Sequence, residues 1–84
     1  MEMNDCLRKM EALVRNDFDR RVSGCLRVEL KSCMLIDGNT EALFIANVKS
    51  TGTWLYDVIY YQEYNDFRVI MYRYVGMHEL YVDD

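Results

Sequence analysis

Eighty-four residues bury only about 60% of the surface that the unfolded chain exposes, so the length predicts a single domain over residues 1–84, with no room for a second core. A composition that is 51% apolar and 29% charged, with no proline, excludes both a disordered chain and one dominated by membrane spans. The net charge of −4, from 14 acids against 10 bases, disfavours general binding to nucleic-acid phosphates and suits docking on a basic protein surface.

Between Asn4 and Val22 the apolar residues Leu7, Met10, Leu13, Val14, Phe18 and Val22 recur at steps of three and four, the period of one helix face. Asn4 reads as the N-cap, and Asp5 and Glu11 lie toward the positive end of the dipole. Arg20 and Arg21 lie toward its negative end, and Gly24 offers a left-handed stop. After Gly24 the period falls to two. Leu26, Val28 and Leu30 alternate with Arg27, Glu29 and Lys31, which predicts a strand running to about Ile36. Asp37, Gly38, Asn39 and Thr40 carry turn chemistry, and residues 41–49 return as a second strand.

A third strand is expected over residues 54–63 and a fourth over 67–75, with Tyr64, Asn65 and Asp66 as the turn between them. Residues 77–82 predict a short final strand or a packed tail. Successive hairpins leave no crossover for parallel pairing, so the expected fold is α+β: an N-terminal amphipathic helix packed on a four-stranded antiparallel meander. Strict alternation puts Trp54, Tyr56, Val58 and Tyr60 on one face of the third strand, and Leu55, Asp57, Ile59 and Tyr61 on the other. In the fourth it sets Phe67, Val69 and Met71 against Arg68, Ile70, Tyr72 and Tyr74. Both faces carry apolar side chains, and one helix covers only one of them. A homodimer is therefore expected, with a second copy completing the burial.

The stretch 54–82 holds the only Trp and all seven Tyr, interleaved with acids. Tyr and Trp dominate binding hot spots, which marks Trp54, Tyr56, Asp57, Tyr60, Tyr61, Glu63, Tyr64, Asp66, Tyr72 and Tyr74 as candidate partner-binding residues. Arg68 and Arg73 among these tyrosines also suggest a stacking platform for single-stranded nucleic acid. The six acids of residues 54–84 against those two bases weigh against it.

Catalytic chemistry finds little support. His78, the only histidine, has Glu79 beside it and only Cys25 or Cys33 as a nucleophile, so no enzyme is expected. Asp37, Asn39 and Glu41 alternate like the start of a calcium loop, yet Gly38 occupies the second position and no bidentate acid closes twelve residues, so a plain turn is expected. The glycines are isolated, with no phosphate cradle, and neither metal nor cofactor is expected. Cys6, Cys25 and Cys33 are odd in number and lack metal-ligand spacing, which predicts buried reduced thiols. With no apolar leader at the N-terminus, a cytoplasmic location is expected.

One helix followed by four strands resembles the cystatin-like arrangement in outline, without an inhibitory motif of that family. As a class, compact acidic chains of this kind resemble bacterial immunity proteins, antitoxins and phage-encoded inhibitors of host defence, including anti-CRISPR proteins. The resemblance implies a non-enzymatic inhibitor or neutraliser that binds a basic protein surface. A single-stranded nucleic-acid binder and a structural homodimer subunit are the alternatives.

Overall fold

The apolar stripe of the first segment winds into helix α1, Met3–Arg21, and the alternating segments after it pair as an antiparallel sheet in chain order. A computed structural model describes residues 1–22, 24, 27–48 and 52–76. The strands are β1 (Arg27–Ile36), β2 (Asn39–Val48), β3 (Gly52–Tyr61) and β4 (Asp66–Gly76), in sheet order β1-β2-β3-β4. This is the α+β meander that the sequence pattern implies. Residues 77–82, expected as a final strand or tail, lie outside the described residues, as do His78, Glu79 and Cys25.

Helix α1 begins one residue before the expected cap. Glu2 has extended backbone and its carbonyl accepts the Cys6 N–H at 2.9 Å, so Asn4 already lies in the first turn and caps nothing. At the other end the Val22 N–H donates to the Phe18 carbonyl at 2.8 Å, and Gly24 takes a left-handed φ of +71° that stops the helix. Cys6, Met10, Val14, Asp17 and Phe18 are buried against the sheet, with Leu7, Leu13 and Val22 packed around them. Cys6 and Asp17 join a stripe that reading by hydrophobicity had drawn without them.

Asp37 (φ +52°) and Gly38 (φ +82°) both lie in the left-handed region, the two-residue turn whose twist matches a hairpin, and Ile36 pairs with Asn39 across it. The β3–β4 connection differs from expectation. β3 ends at Tyr61 and Gln62, Glu63, Tyr64 and Asn65 form the turn; Tyr61 pairs with Asp66, which opens β4. Asn65, at φ +50°, supplies the reversal, and its Oδ1 accepts the Tyr60 hydroxyl at 2.8 Å.

The register slips at three places, one of them between Thr53 and Trp54, where Val75 is left unpaired; the other two decide which side chains face the helix. In β1 the register slips between Leu30 and Ser32, so Lys31 is the extra residue and Leu30, Cys33 and Leu35 share the helix side. In β4 it slips opposite the Asp57–Val58 step: Asp57 pairs with Met71 and Val58 with Val69, leaving Ile70 unpaired. Strict alternation therefore fails in β4. Phe67, Val69, Tyr72 and Tyr74 stand opposite Tyr60, Val58, Tyr56 and Trp54 on the helix side, and Met71 moves to the far side with Arg68 and Arg73. The core between helix and sheet is built from Met10, Val14, Phe18, Ala42, Phe44, Ala46, Tyr56 and Val58.

Candidate binding surface

The helix side of β3 and β4 is an aromatic row. Tyr60 and Phe67 lie 4.4 Å apart between ring centroids and Tyr56 and Tyr72 stack at 5.7 Å. Trp54 meets Tyr74 at 5.5 Å and Phe18 at 5.9 Å. Such pairs add about 0.5–1.5 kcal/mol each to the area they bury, so most of this aromatic surplus is internal packing. Tyr56 is fully buried and Tyr60 nearly so; Trp54 is half-buried, and Tyr72 and Tyr74 emerge at the rim with 39% and 50% exposure.

A polar knot ties that rim to the helix. The Asp17 carboxylate is buried and accepts the Tyr56 hydroxyl at 2.9 Å, Arg21 Nε at 2.7 Å and Arg20 Nη2 at 2.9 Å. Arg21 also donates to the Tyr72 hydroxyl at 2.9 Å, with its guanidinium carbon 4.1 Å from that ring centroid. Burial by itself would raise the Asp17 pKa, but the hydrogen bonds from Arg21 and Tyr56 and the charges of both arginines outweigh it and hold the carboxyl below its ordinary value. Burial, followed by the Asp17 carboxylate, pushes the Tyr56 hydroxyl well up. This arrangement fixes helix to sheet and leaves Arg20 and Arg21 engaged.

The far face of the sheet differs in character. Ile45, Thr53 and Val75 are buried at one end of it. Leu55, opposite Ile45, is half-buried; toward the other end Leu43, Ile59 and Tyr61 are half-buried, and Met34, Ile36 and Met71 are exposed. Asp57 sits in the middle, between Leu43 and Met71 on the neighbouring strands. Its Oδ1 is buried with no hydrogen-bond partner. Burial first, then the Glu41 carboxyl beside it, pushes Asp57 up to about 6. The bases across β4 do not relieve it, since Arg68 Nε is held by Asp66 at 2.7 Å and Arg73 forms no ion pair among the described residues.

Along β3 this face runs from Asp57 through Tyr61 into the β3–β4 turn, where Glu63 and Tyr64 are exposed, Tyr64 at 72%. Tyr61, Tyr64, Asp66 and Arg68 line a shallow depression there. The ten residues marked by the sequence thus divide into three places. Asp57, Tyr61, Glu63, Tyr64 and Asp66 form one continuous acidic and aromatic strip; Trp54, Tyr72 and Tyr74 form the helix-side rim; Tyr56 and Tyr60 lie in the core. Glu41 was missed, although a carboxylate among the apolar residues of a strand was a visible signal. Compared with known proteins, the chain matches no family model, no curated protein and no solved structure.

Among the described residues no group of three or more His, Cys, Asp or Glu side chains could hold a metal ion, and no helix is long and apolar enough to cross a membrane. The thiols depart from expectation. Cys6 is buried in the core, but Cys33 is exposed because the helix covers β2 and β3 and leaves most of β1 outside its shadow.

Proposed function

We propose that this chain is a non-enzymatic binding protein, an inhibitor or neutraliser that docks on a basic surface of another macromolecule through the strip formed by Asp57, Tyr61, Glu63, Tyr64 and Asp66. The observation that carries this reading is the Asp57 Oδ1, buried without a partner beside Glu41 on an apolar sheet face. An orphaned carboxylate oxygen costs roughly 1–3 kcal/mol, and an arginine or lysine delivered by a partner would supply both the hydrogen bond and the charge. Tyr64 and Tyr61 offer the aromatic anchors that hot spots use, and the acids around them favour fast association with a cationic partner. The single-stranded nucleic-acid reading is weaker, because Arg20, Arg21 and Arg68 are already engaged with Asp17 and Asp66.

The same chain is proposed to self-associate as a homodimer in a reducing, cytoplasmic compartment, on the grounds of its exposed β1 and its free thiols. Affinity capture from the native host tests the binding role. Wild type, Asp57→Lys, Tyr64→Ala and, as a control on the helix surface, Arg15→Glu are compared. A captured protein retained by Arg15→Glu and lost with the strip variants supports the assignment; retention by the strip variants with loss in Arg15→Glu moves the site to the helix.

A further inference from the structure

Strand β1 closes one end of the sheet, and among the described residues nothing pairs with its outer edge. It is ten residues long, and beyond Val28 it leaves the cover of the helix: Leu30 is 44% exposed, Met34 56%, Leu35 67% and Ile36 41%. The exposure is apolar on both sides. Leu30, Cys33 and Leu35 stand opposite Phe44, Ala42 and Thr40 on the helix side, while Met34 and Ile36 stand opposite Glu41 and Asn39 on the far side. Edge strands of soluble proteins are usually blunted by lysine, proline or brevity, because their free N–H and C=O groups recruit another strand. Here residues 32–36 have none of these protections.

The charges that flank this stretch indicate which strand it would recruit. Residues 32–36 are uncharged and bracketed by Lys31 and Asp37, both exposed and neither in an ion pair among the described residues. Two copies laid antiparallel and centred on Met34 would set Ser32 opposite Ile36, Cys33 opposite Leu35, and Lys31 opposite Asp37 at both ends. Residues directly opposite in such a pair share a face, and the observed faces agree: Cys33 and Leu35 are both on the helix side, Ser32 and Ile36 both on the far side. A parallel in-register pairing would instead put Lys31 against Lys31. The edge is complementary to its own antiparallel copy.

We propose that β1 pairs antiparallel with β1 of a second copy, centred on Met34, to form one continuous sheet that joins the four described strands of each copy. This deepens the self-association reading and rests on it, and it is separate from the partner-binding strip around Tyr64. The two-fold axis is normal to the sheet, so both helices lie on one side of it. Met1 and Met3, which line a depression with Leu35, then approach the seam and add apolar area to the strand pair. Strand pairing over so short a stretch makes a small interface, consistent with dissociation in the micromolar range.

Light scattering and sedimentation from about 1 to 500 μM, a range chosen to straddle that affinity, test the proposal. The wild-type mass should rise from monomer to dimer, and Leu35→Lys should remain a monomer with an unchanged circular dichroism spectrum, since its side chain is already exposed. For the register, Met34→Cys in a Cys25→Ser/Cys33→Ser background should give a disulfide-linked dimer on mild oxidation. Ser32→Cys in that background should not, because its copy lies four residues away along the pair. A monomeric wild type throughout, a dimer that survives Leu35→Lys, or equal cross-linking at both positions overturns the proposal. So does loss of affinity-captured protein in Leu35→Lys with no change in mass, which would give the edge to a strand of another protein.

Discussion

Replacing Asp57 with asparagine should make the protein more stable at neutral pH, although it removes a charge from an acidic protein that ordinarily gains solubility from it. In the folded chain Asp57 is raised from 3.8 to about 6. Folding therefore takes up a proton between those values, and the stability it contributes is full below the unfolded value and lost as pH rises through the folded one. At 1.36 kcal/mol for each tenfold change, the displacement corresponds to at most about 3 kcal/mol. Part of that loss is already complete at pH 5, which lies above the unfolded value, so about 1–2 kcal/mol is the expected loss between pH 5 and pH 7.5. Asparagine stays neutral and can donate to Glu41, which should flatten the dependence in that window.

Urea unfolding followed by the fluorescence of Trp54, packed against Phe18 and Tyr74, measures it at a fixed protein concentration. The difference between wild type and variant cancels the titration of every group that the two proteins share. Equal pH slopes for the two proteins would refute the raised Asp57 pKa and, with it, the view that this face holds a carboxylate awaiting a cation.

Asp17→Ala should be costly, about 3 kcal/mol, because it strands the buried Tyr56 hydroxyl and releases Arg20 and Arg21 together. Denaturant melts give the value, and the depressed Asp17 pKa predicts that wild type loses this contribution only as pH falls below the ordinary carboxylate range. Alkylation of the native protein should modify Cys33 readily and Cys6 only on unfolding, as mass spectrometry of protected and unprotected thiols will record. Burial raises the Cys6 thiol's pKa and adds to that contrast.

Element order, the hairpin at Asp37 and Gly38, and the helix-side face of β3 were legible in the sequence because each rests on local rules: a period, a turn dipeptide, an alternation. The β4 face was not legible. A bulge adds one residue without changing composition, and nothing in Arg68, Val69, Ile70, Met71 and Tyr72 marks Ile70 as the one left unpaired. Its consequence is large, since it turns Tyr72 and Tyr74 toward the helix and Met71 toward the far face. Asp17 was legible and passed over. It falls three residues after Val14 and seven after Met10, on the apolar stripe, where a carboxylate signals a buried partner.

The candidate surface emerged only in part for a related reason. Tyrosine has an apolar body and a polar tip, so its abundance states that a sheet is well packed or well exposed without saying which. Register resolves the ambiguity residue by residue: the ring of Tyr56 fills the core and its hydroxyl reaches Asp17, whereas Tyr64, in a turn, has no layer above it and remains exposed. The acids are more informative than the aromatics. A carboxylate facing water needs no partner, but Asp57 stands between Leu43 and Met71 with one oxygen buried and unpaired, and Glu41 beside it raises the cost of ionisation rather than relieving it. An arrangement that opposes its own stability at neutral pH would be relieved by a cationic group from outside the chain, and that is the physical argument behind the partner site proposed on this face.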